Sequence, residues 1–248
     1  MIALPYLELD TPFPSVSEAL EDPNGLLAFG ADLSVQRLFS AYSQGIFPWY
    51  SADEPILWWS PNPRAIIELD GFRCSRSLHK LARKKIYTVT LNNAFEQVIE
   101  ACAKIARPNP NSQEMSQDTW ITNDMQQAYC NLHRVGLAHS VEVWQDQQLV
   151  GGLYGVGIGK VYCGESMFHR KSNTSKLAML ALVNHMKRNN MAFIDCQLPT
   201  DHLTSLGAIS ISRNEFIEKL RANNHTLTDA GSLTADYISQ WKPQVITP

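Results

Sequence analysis

The sequence lacks several features that define whole classes of protein. Its 248 residues contain no apolar run that approaches the ~20 residues needed to span a bilayer, so no membrane-spanning helix is predicted. The opening residues, MIALPYLELD, show no basic region followed by an apolar stretch, so we expect no cleaved signal peptide and a cytoplasmic protein. Charged residues make up only 18 %, which excludes a largely disordered chain.

Cysteine and metal-ligand patterns are also sparse. The five cysteines are an odd number, and none forms a CxxC pair, so neither a disulfide framework nor a zinc ribbon is indicated. No histidine pair has the spacing of helical metal ligands. We therefore expect reduced, mostly buried thiols and no metal site.

Charge is small overall but unevenly distributed. The formal net charge is −3. Six basic residues and no acidic residue lie between Arg73 and Lys85, which leaves 15 of the 21 Lys and Arg against 24 Asp and Glu elsewhere. A basic segment on an acidic body is typical of a docking surface for a polyanion, although an ordinary solvated helix face has the same pattern.

Proline distribution indicates two parts of the chain. Eight of the 13 prolines precede residue 64, and because proline fixes φ and removes a donor, short elements joined by turns are predicted there, with one helix from about Ser34 to Gln44. We divide the chain into a small aromatic- and proline-rich domain, 1–65, and a larger domain, 66–248.

The second part predicts a mixed α/β (α+β) sheet. Apolar residues alternate in the predicted strands and recur at helical spacing in the predicted helices. The segment 161–198 is a β-α-β unit, whose two strands are parallel if they share a sheet. The polar stretch from Arg107 to Gln117 is predicted as a loop. Strands are expected at 65–70, 87–92, 139–156 (two, joined at Asp146), 161–168 and 192–198, and helices through the basic segment and at 94–106, 123–135, 174–188 and 213–223.

Polar residues within apolar strands are the candidates for a site. Glu165 lies in VYCGESMF, and Asp195 and Gln197 lie in AFIDCQL, where alternation predicts one shared face for those two and the other face for Cys196. Such residues are costly to bury unless they are paired or used. A buried structural network would explain them equally well.

Two other reactions fit single features of these strands. Cys196 could act as a nucleophile with His202 as its base, although a lone cysteine in an apolar strand usually packs. Glu165 and Asp195 could form a glycosidase pair, which spacing alone does not exclude.

The six tryptophans pack cores in most proteins, yet Trp49 and Trp120 near a basic segment also suit stacking on unpaired bases.

Several longer runs carry a specific resemblance. The chain resembles the leucyl/phenylalanyl-tRNA–protein transferases over about residues 13–217, and its matching runs occur in the same order as in that family. The matching runs are FPS (13–15), PNGLLAFGADLS (23–34), AYSQGIFPWYS (41–51), PILWWSPNPRA (55–65), TWIT (119–122), HSVEVW (139–144), LVGGLYGV (149–156), CGESMF (163–168), IDCQ (194–197) and DHLTSLGA (201–208).

The resemblance implies a reaction and a fold. Members of this family transfer Leu, Phe or, less well, Met from aminoacyl-tRNA to the α-amine of proteins that begin with Arg or Lys, which marks those proteins for degradation by the N-end rule. Their C-terminal domain resembles GNAT acyltransferases. The stretch His169–Lys176 contains no glycine, which disfavours the pyrophosphate loop of an enzyme that uses acyl-CoA. A GNAT-type enzyme using acyl-CoA and a non-catalytic RNA-binding module remain the alternatives.

The resemblance also implies roles for individual residues. Gln197 would accept or orient the amine proton, Asp195 would hold or relay it, and Glu165 would attract the cationic acceptor. Trp120 and Trp49 would stack on the terminal adenosine. The donor side chain would lie against Leu153, Met167, Phe168, Leu177 and Leu180, and phosphates would contact Arg73, Arg76, Lys80, Arg83, Lys84 and Lys85. No cofactor is implied, and we expect a monomer.

Overall fold

Helices form where apolar residues recur at helical spacing. The computed structural model describes residues 4–105, 107–108, 115–116 and 119–248. Ser34 begins the first helix by accepting a hydrogen bond from the Arg37 amide, as predicted. No helix within these residues is long and apolar enough to cross a membrane. The helices are α1 (Val35–Ser43), α2 (Arg76–Arg83), α3 (Phe95–Lys104), α4 (Asn123–Arg134), α5 (Thr174–Arg188), α6 (Asp201–Ser205), α7 (Arg213–Asn223) and α8 (Ala235–Gln240).

A small four-stranded sheet forms from the proline-rich part. Its strands are β1 (Tyr6–Leu7), β2 (Leu26–Gly30), β3 (Phe47–Pro48) and β4 (Leu57–Trp59), in the order β1-β2-β4-β3. They are short, as the prolines predict. Trp58 is completely buried and packs against Phe13 with ring centroids 4.9 Å apart, so this tryptophan is a core residue.

The larger sheet has eight strands and is mixed, as predicted. Among its strands in the described part of the chain, only β11 and β12 pair in parallel, and α5 connects them. The polar stretch predicted as a loop lies mostly outside the described residues, apart from the paired strands β7 (Arg107–Pro108) and β8 (Met115–Ser116). The order is β13-β5-β12-β11-β10-β9-β6-β14, with β5 (Arg64–Glu68), β6 (Thr88–Leu91), β9 (Ala138–Gln145), β10 (Gln148–Ile158), β11 (Val161–His169), β12 (Phe193–Gln197), β13 (Ile209–Ile211) and β14 (Gln244–Val245).

Strands β11 and β12 separate partway along their length. They pair only from Val161 to Cys163 and from Phe193 to Asp195, whereas β10 stays paired with β11 as far as His169. The sheet therefore opens between Glu165 and Gln197. The polar residues of both strands lie at this opening because they follow the last pair.

The remainder of the chain covers the two ends of this sheet. Strands β13 and β14 add at opposite edges, and α8 packs near His139, whose ring stacks on Trp241 at 4.1 Å. The sequence pattern did not predict these late elements. The smaller sheet ends at Trp59 and the larger one starts at Arg64, while the domain division at residue 65 stays a prediction.

Candidate active site

A cavity of about 200 Å³ lies where β11 and β12 separate. Its wall is mostly apolar, with the carboxyl group of Glu165 and the amide of Gln197 among its polar groups. A concave apolar site with a few polar groups is the usual form of a small-molecule or substrate pocket. The apolar side chains of the wall include Leu153, Met167, Met179 and Leu203.

Gln197 has an unusual backbone conformation that places its side chain at this cavity. Its φ is +63°, and the pairing of β12 with β5 shifts register between Asp195 and Gln197. Alternation is broken at this bulge, so the prediction that Asp195 and Gln197 share a face is wrong. Instead, Cys196 and Gln197 both line the cavity, and Asp195 does not.

The Gln197 amide is oriented by Glu165. Its Nε2 donates to Glu165 Oε1 at 2.7 Å. The side-chain carbonyl oxygen is therefore the atom that can contact a substrate. This oxygen accepts no hydrogen bond from any residue that the structure describes. An amide held in this way presents an acceptor to the cavity.

Asp195 and Arg64 form a buried ion pair behind the cavity. The guanidinium donates from Nε to Oδ1 at 2.8 Å and from Nη2 to Oδ2 at 2.7 Å, and both side chains are at most 1 % exposed. Asp195 Oδ1 also accepts from the Gln197 main-chain amide at 2.9 Å. The carboxylate therefore holds the backbone of Gln197.

Arg64 is itself held from several sides. Its guanidinium lies between the rings of Phe47 and Phe216, at 4.9 and 4.4 Å from their centroids. Its Nη1 donates to the carbonyl oxygen of Gly45 at 3.1 Å. Stacked faces and bidentate donation suit arginine and not lysine, which has neither a plane nor a fork of donors.

Glu165 is bound by two tyrosines as well as by Gln197. The Tyr42 hydroxyl is 2.7 Å from Oε1, and the Tyr129 hydroxyl is 3.0 Å from Oε2. Burial raises the pKa of Glu165 to about 7, against the lowering effect of hydrogen bonds from Tyr42 and Tyr129. This carboxyl group therefore changes its charge near neutral pH.

Two of the five residues predicted for the donor side chain line this cavity. Leu153 and Met167 line the cavity, but Phe168, Leu177 and Leu180 are buried elsewhere in the core. Phe168 follows Met167 on β11, so alternation turns it to the opposite face. Leu177 and Leu180 lie about 200° and 100° around the helix from Met179, the α5 residue that does reach the cavity.

The two predicted stacking tryptophans lie outside the cavity wall. Trp49 is 43 % exposed and packs edge-on against Trp59, and Trp120 is half-buried. Burial raises the pKa of the Tyr50 hydroxyl, and the nearby Thr122 side chain opposes that rise. The structure thus brings the segments that carry Trp49 and Trp120 together.

The cations of the basic segment are exposed to solvent. Leu78 anchors α2 in the core, and all six predicted cations are exposed. None of them forms an ion pair with any residue that the structure describes. The cations are Arg73, Arg76, Lys80, Arg83, Lys84 and Lys85.

The alternative reactions gain no support from this geometry. Burial raises the pKa of the Cys196 thiol, so it is not the thiolate that a nucleophile requires. Asp195 is completely buried and paired with Arg64, which leaves it no access to a glycosidic substrate. Among the described residues, no group of three or more His, Cys, Asp or Glu could hold a metal ion.

Three residues of the site were missed by sequence reasoning. Tyr42 and Tyr129 reach Glu165 from α1 and α4, and Arg64 reaches Asp195 from β5. Arg64 gave a usable signal, because it is a charged residue directly before the three apolar residues of β5, in RAIIE. The tyrosines gave none, since amphipathic helices commonly bury tyrosine.

Comparisons with known proteins agree on one family. Residues 66–221 match the model described as leucyl/phenylalanyl-tRNA protein transferase, and residues 31–62 match that of its N-terminal domain. A protein of that name from Pseudoalteromonas atlantica is 53 % identical, over 100 % of this chain and 99 % of its own length. Another from Pseudoalteromonas translucida is 52 % identical, over 95 % and 92 % of the two chains.

Proposed function

Since the chain belongs to the leucyl/phenylalanyl-tRNA–protein transferase family and is therefore an aminoacyltransferase that acts from aminoacyl-tRNA onto protein, we propose its finer specificity. The donors are tRNAs charged with Leu, Phe or, less well, Met. The acceptor is the α-amine of a protein that begins with Arg or Lys, and the product is marked for degradation by the N-end rule. The oriented amide of Gln197 at the cavity is the observation that carries this proposal.

The reaction asks little of an enzyme beyond positioning. The acceptor amine attacks the ester carbonyl carbon, a C–N bond forms, and the C–O bond to the terminal ribose breaks. The amine loses one proton, and the ribose oxygen gains one. Because an α-amine has a reference pKa of about 7.7–8.0, a substantial part of it is already neutral near pH 7. Holding the amine against the ester then supplies most of the acceleration.

Gln197 is the residue we assign to the amine. Its carbonyl oxygen faces the cavity because Glu165 takes its Nε2 group. An amide oxygen accepts a hydrogen bond from the amine and directs the nitrogen lone pair, without acting as a strong base. Donation from Nε2 to the carboxyl group polarises the amide and strengthens its oxygen as an acceptor.

Asp195 acts through Gln197 as a positioning residue. It accepts the main-chain N–H of Gln197 and so supports a conformation at φ +63° that glutamine rarely adopts. It also accepts two hydrogen bonds from Arg64. This arrangement favours the holding role for Asp195 over a proton relay.

The donor side chain is assigned to the apolar part of the cavity. Leu153, Met167, Met179 and Leu203 offer flexible surface to a leucyl, phenylalanyl or methionyl group. One methylene in such a pocket is worth only about 1–3 kcal/mol, so graded selectivity is expected among the three.

The RNA is assigned to the tryptophans and to the exposed cations near α2. Trp120 and Trp49 would stack on the terminal adenosine, and the cations would bind backbone phosphates without reading bases. Their exposure and lack of acidic partners in the described chain support this assignment.

Transfer of labelled Leu from charged tRNA onto matched peptides tests the proposal. Peptides that begin with Arg or Lys should accept the label, and a peptide that begins with Ala should not. Gln197→Ala should reduce kcat strongly, while Gln148→Ala, an exposed glutamine on the same sheet, serves as the control. Equal labelling of all three peptides, or full activity of Gln197→Ala, would contradict the assignment. Labelled acetyl-CoA offered to the Arg peptide tests the acyl-CoA alternative.

A further inference from the structure

Three acidic groups close a triangle beneath Gln197. The hydroxyl of Tyr42 contacts Glu165 Oε1 at 2.7 Å, and the hydroxyl of Tyr129 contacts Oε2 at 3.0 Å. The two hydroxyls also hydrogen-bond each other directly. Each side of the triangle is thus an oxygen–oxygen contact of hydrogen-bond length.

The number of hydrogens decides the charge of this triangle. Two oxygens approach to about 2.5–3.0 Å only with a hydrogen between them, so three contacts require three hydrogens. The two phenols supply one each. A carboxylate supplies none, so with ionised Glu165 one side would be two lone-pair-bearing oxygens in direct contact. Hydrogens from other residues cannot fill that side, because they do not belong to its two oxygens.

We propose that Glu165 in this arrangement carries a proton and acts as a neutral carboxylic acid. The third hydrogen then completes a closed ring through Tyr42 and Tyr129. Oε1 still accepts from Gln197 Nε2, so the amide keeps its orientation. Glu165 is a positioning residue in this ring, since it acts on the substrate through Gln197.

The surroundings favour the neutral form. Glu165 is half-buried at the cavity wall, and desolvation of its carboxyl group raises its pKa to about 7. Arg64, a cation that interacts with Glu165, is paired with Asp195, so the ion pair provides little net charge to stabilise a carboxylate. The titratable and charged groups that face Glu165 are Tyr42 of α1, Tyr129 of α4, Tyr162 and Cys163 of β11, Arg64 of β5 and Asp195 of β12.

The consequence for transfer rests on the proposed function. An ionised Glu165 would attract the acceptor as an ammonium ion and raise the pKa of its amine, which then cannot attack. A neutral Glu165 leaves the site without that charge, so the acceptor binds more readily as the free amine. The attraction implied by the family resemblance and this neutral role therefore predict opposite effects of removing the charge.

Carbon-13 NMR of the ligand-free protein measures the proton directly. Glutamate labelled at its side-chain carboxyl carbon is incorporated, and the Glu165 resonance is the one absent from Glu165→Gln, or shifted in Tyr129→Phe. We expect a protonated carboxyl group below about pH 6.5 that titrates well above the ordinary glutamate pKa of about 4.3. A carboxylate signal throughout the range from about pH 5 to about pH 8 would overturn the proposal.

Paired substitutions separate the neutral role from the ionised one. Glu165→Gln keeps an acceptor for Tyr42 and Gln197 and a donor for Tyr129, so it should retain transfer within about 10-fold and make its rate independent of the Glu165 titration. Glu165→Ala should lose at least about 100-fold. A folded Glu165→Gln as inactive as Glu165→Ala would overturn the proposal. Because the NMR titration needs no substrate, failure of the proposed transfer specificity would leave its result unaffected.

Discussion

Gln197 adopts a backbone conformation that side-chain-bearing residues disfavour by about 1–2 kcal/mol. A single hydrogen bond from its main-chain amide to Asp195 and another from its side chain to Glu165 hold it there. The same conformation turns the amide oxygen to the cavity. The same backbone conformation of Gln197 is therefore the source of its strain and of the orientation of its side-chain oxygen.

Asp195→Ala should reduce both transfer and stability. It leaves the buried Arg64 guanidinium without a counter-ion, which costs about 3–5 kcal/mol, and it releases the Gln197 backbone. Binding of tRNA, measured at a temperature where the variant is folded, should change little. Chemical denaturation and single-turnover transfer measure the two effects.

The double variant Arg64→Met/Asp195→Leu distinguishes structural support from positioning. Apolar residues of similar size should restore much of the free energy of unfolding, because no unpaired charge remains. Transfer should stay low, since Gln197 still lacks its acceptor. Recovery of transfer together with stability would show that Asp195 only fills the core.

Trp120→Ala should raise the KM for donor analogues that end in adenosine. Stacking is worth about 1–3 kcal/mol per base, which corresponds to roughly 5-fold to 150-fold in KM. Trp120→Phe retains a ring and should keep most of the affinity. An unchanged KM in the alanine variant would assign this half-buried tryptophan to packing alone.

The role of strand β11 depends on where its pairing with β12 ends. Its first residues continue the core of the sheet, and its later ones wall the cavity after β12 has separated. Gly155 of β10 faces this region, and a Cβ there would lie 2.1 Å from the carbonyl oxygen of Cys163. A larger residue at 155 would push β11 away, so the register shift beside it requires glycine.

Helix α2 combines one buried anchor, Leu78, with exposed cations around it. Replacing Lys84 and Lys85 with Gln should weaken tRNA binding and lower the slope of log K against log salt by up to about 2, because each phosphate contact releases a counter-ion. Filter binding over a salt series measures this slope. The exposed Lys160 and Lys242, changed in the same way, provide the control. Equal slopes for both pairs would exclude these two lysines from the RNA interface.

At the scale of the whole molecule, Arg64 connects the two sheets. It opens β5 of the larger sheet, contacts Phe47 of the smaller one, and holds Asp195 on β12. The site therefore depends on packing between segments 131 residues apart in sequence. Activity and the docking of the smaller sheet are expected to be lost together.

The far edge of the molecule contains an acid-sensitive contact. His139 is buried against Trp241 and hydrogen-bonds Tyr237, and burial, with the charges of His133 and His185, lowers its pKa well below 6.5. The unfolded chain takes up this proton below about pH 6.5 and the folded chain does not. The free energy of unfolding should therefore fall as pH falls below that value. Its dependence on pH should be weaker in His139→Gln and unchanged in His225→Gln, which alters an exposed histidine.

Much of this architecture is readable from local sequence. The sequence pattern predicted helices at about 174–188 and at 213–223, where α5 and α7 lie, and the β-α-β pattern predicted the parallel pair of β11 and β12. The polar residues in those strands and the runs such as GIFPWYS pointed to the site and to the family. These features were accessible because helical and strand periods, turns and motifs depend on residues that are neighbours in the chain.

The tertiary structure decided which side chains meet. The bulge after Asp195 placed Gln197 beside Glu165, and the separation of β11 from β12 admitted Met179 to the cavity while Leu177 stayed in the core. Tyr42 reached Glu165 across 123 residues. Such contacts arise from the packing of distant segments around shared polar groups, and no periodic pattern within one segment encodes them.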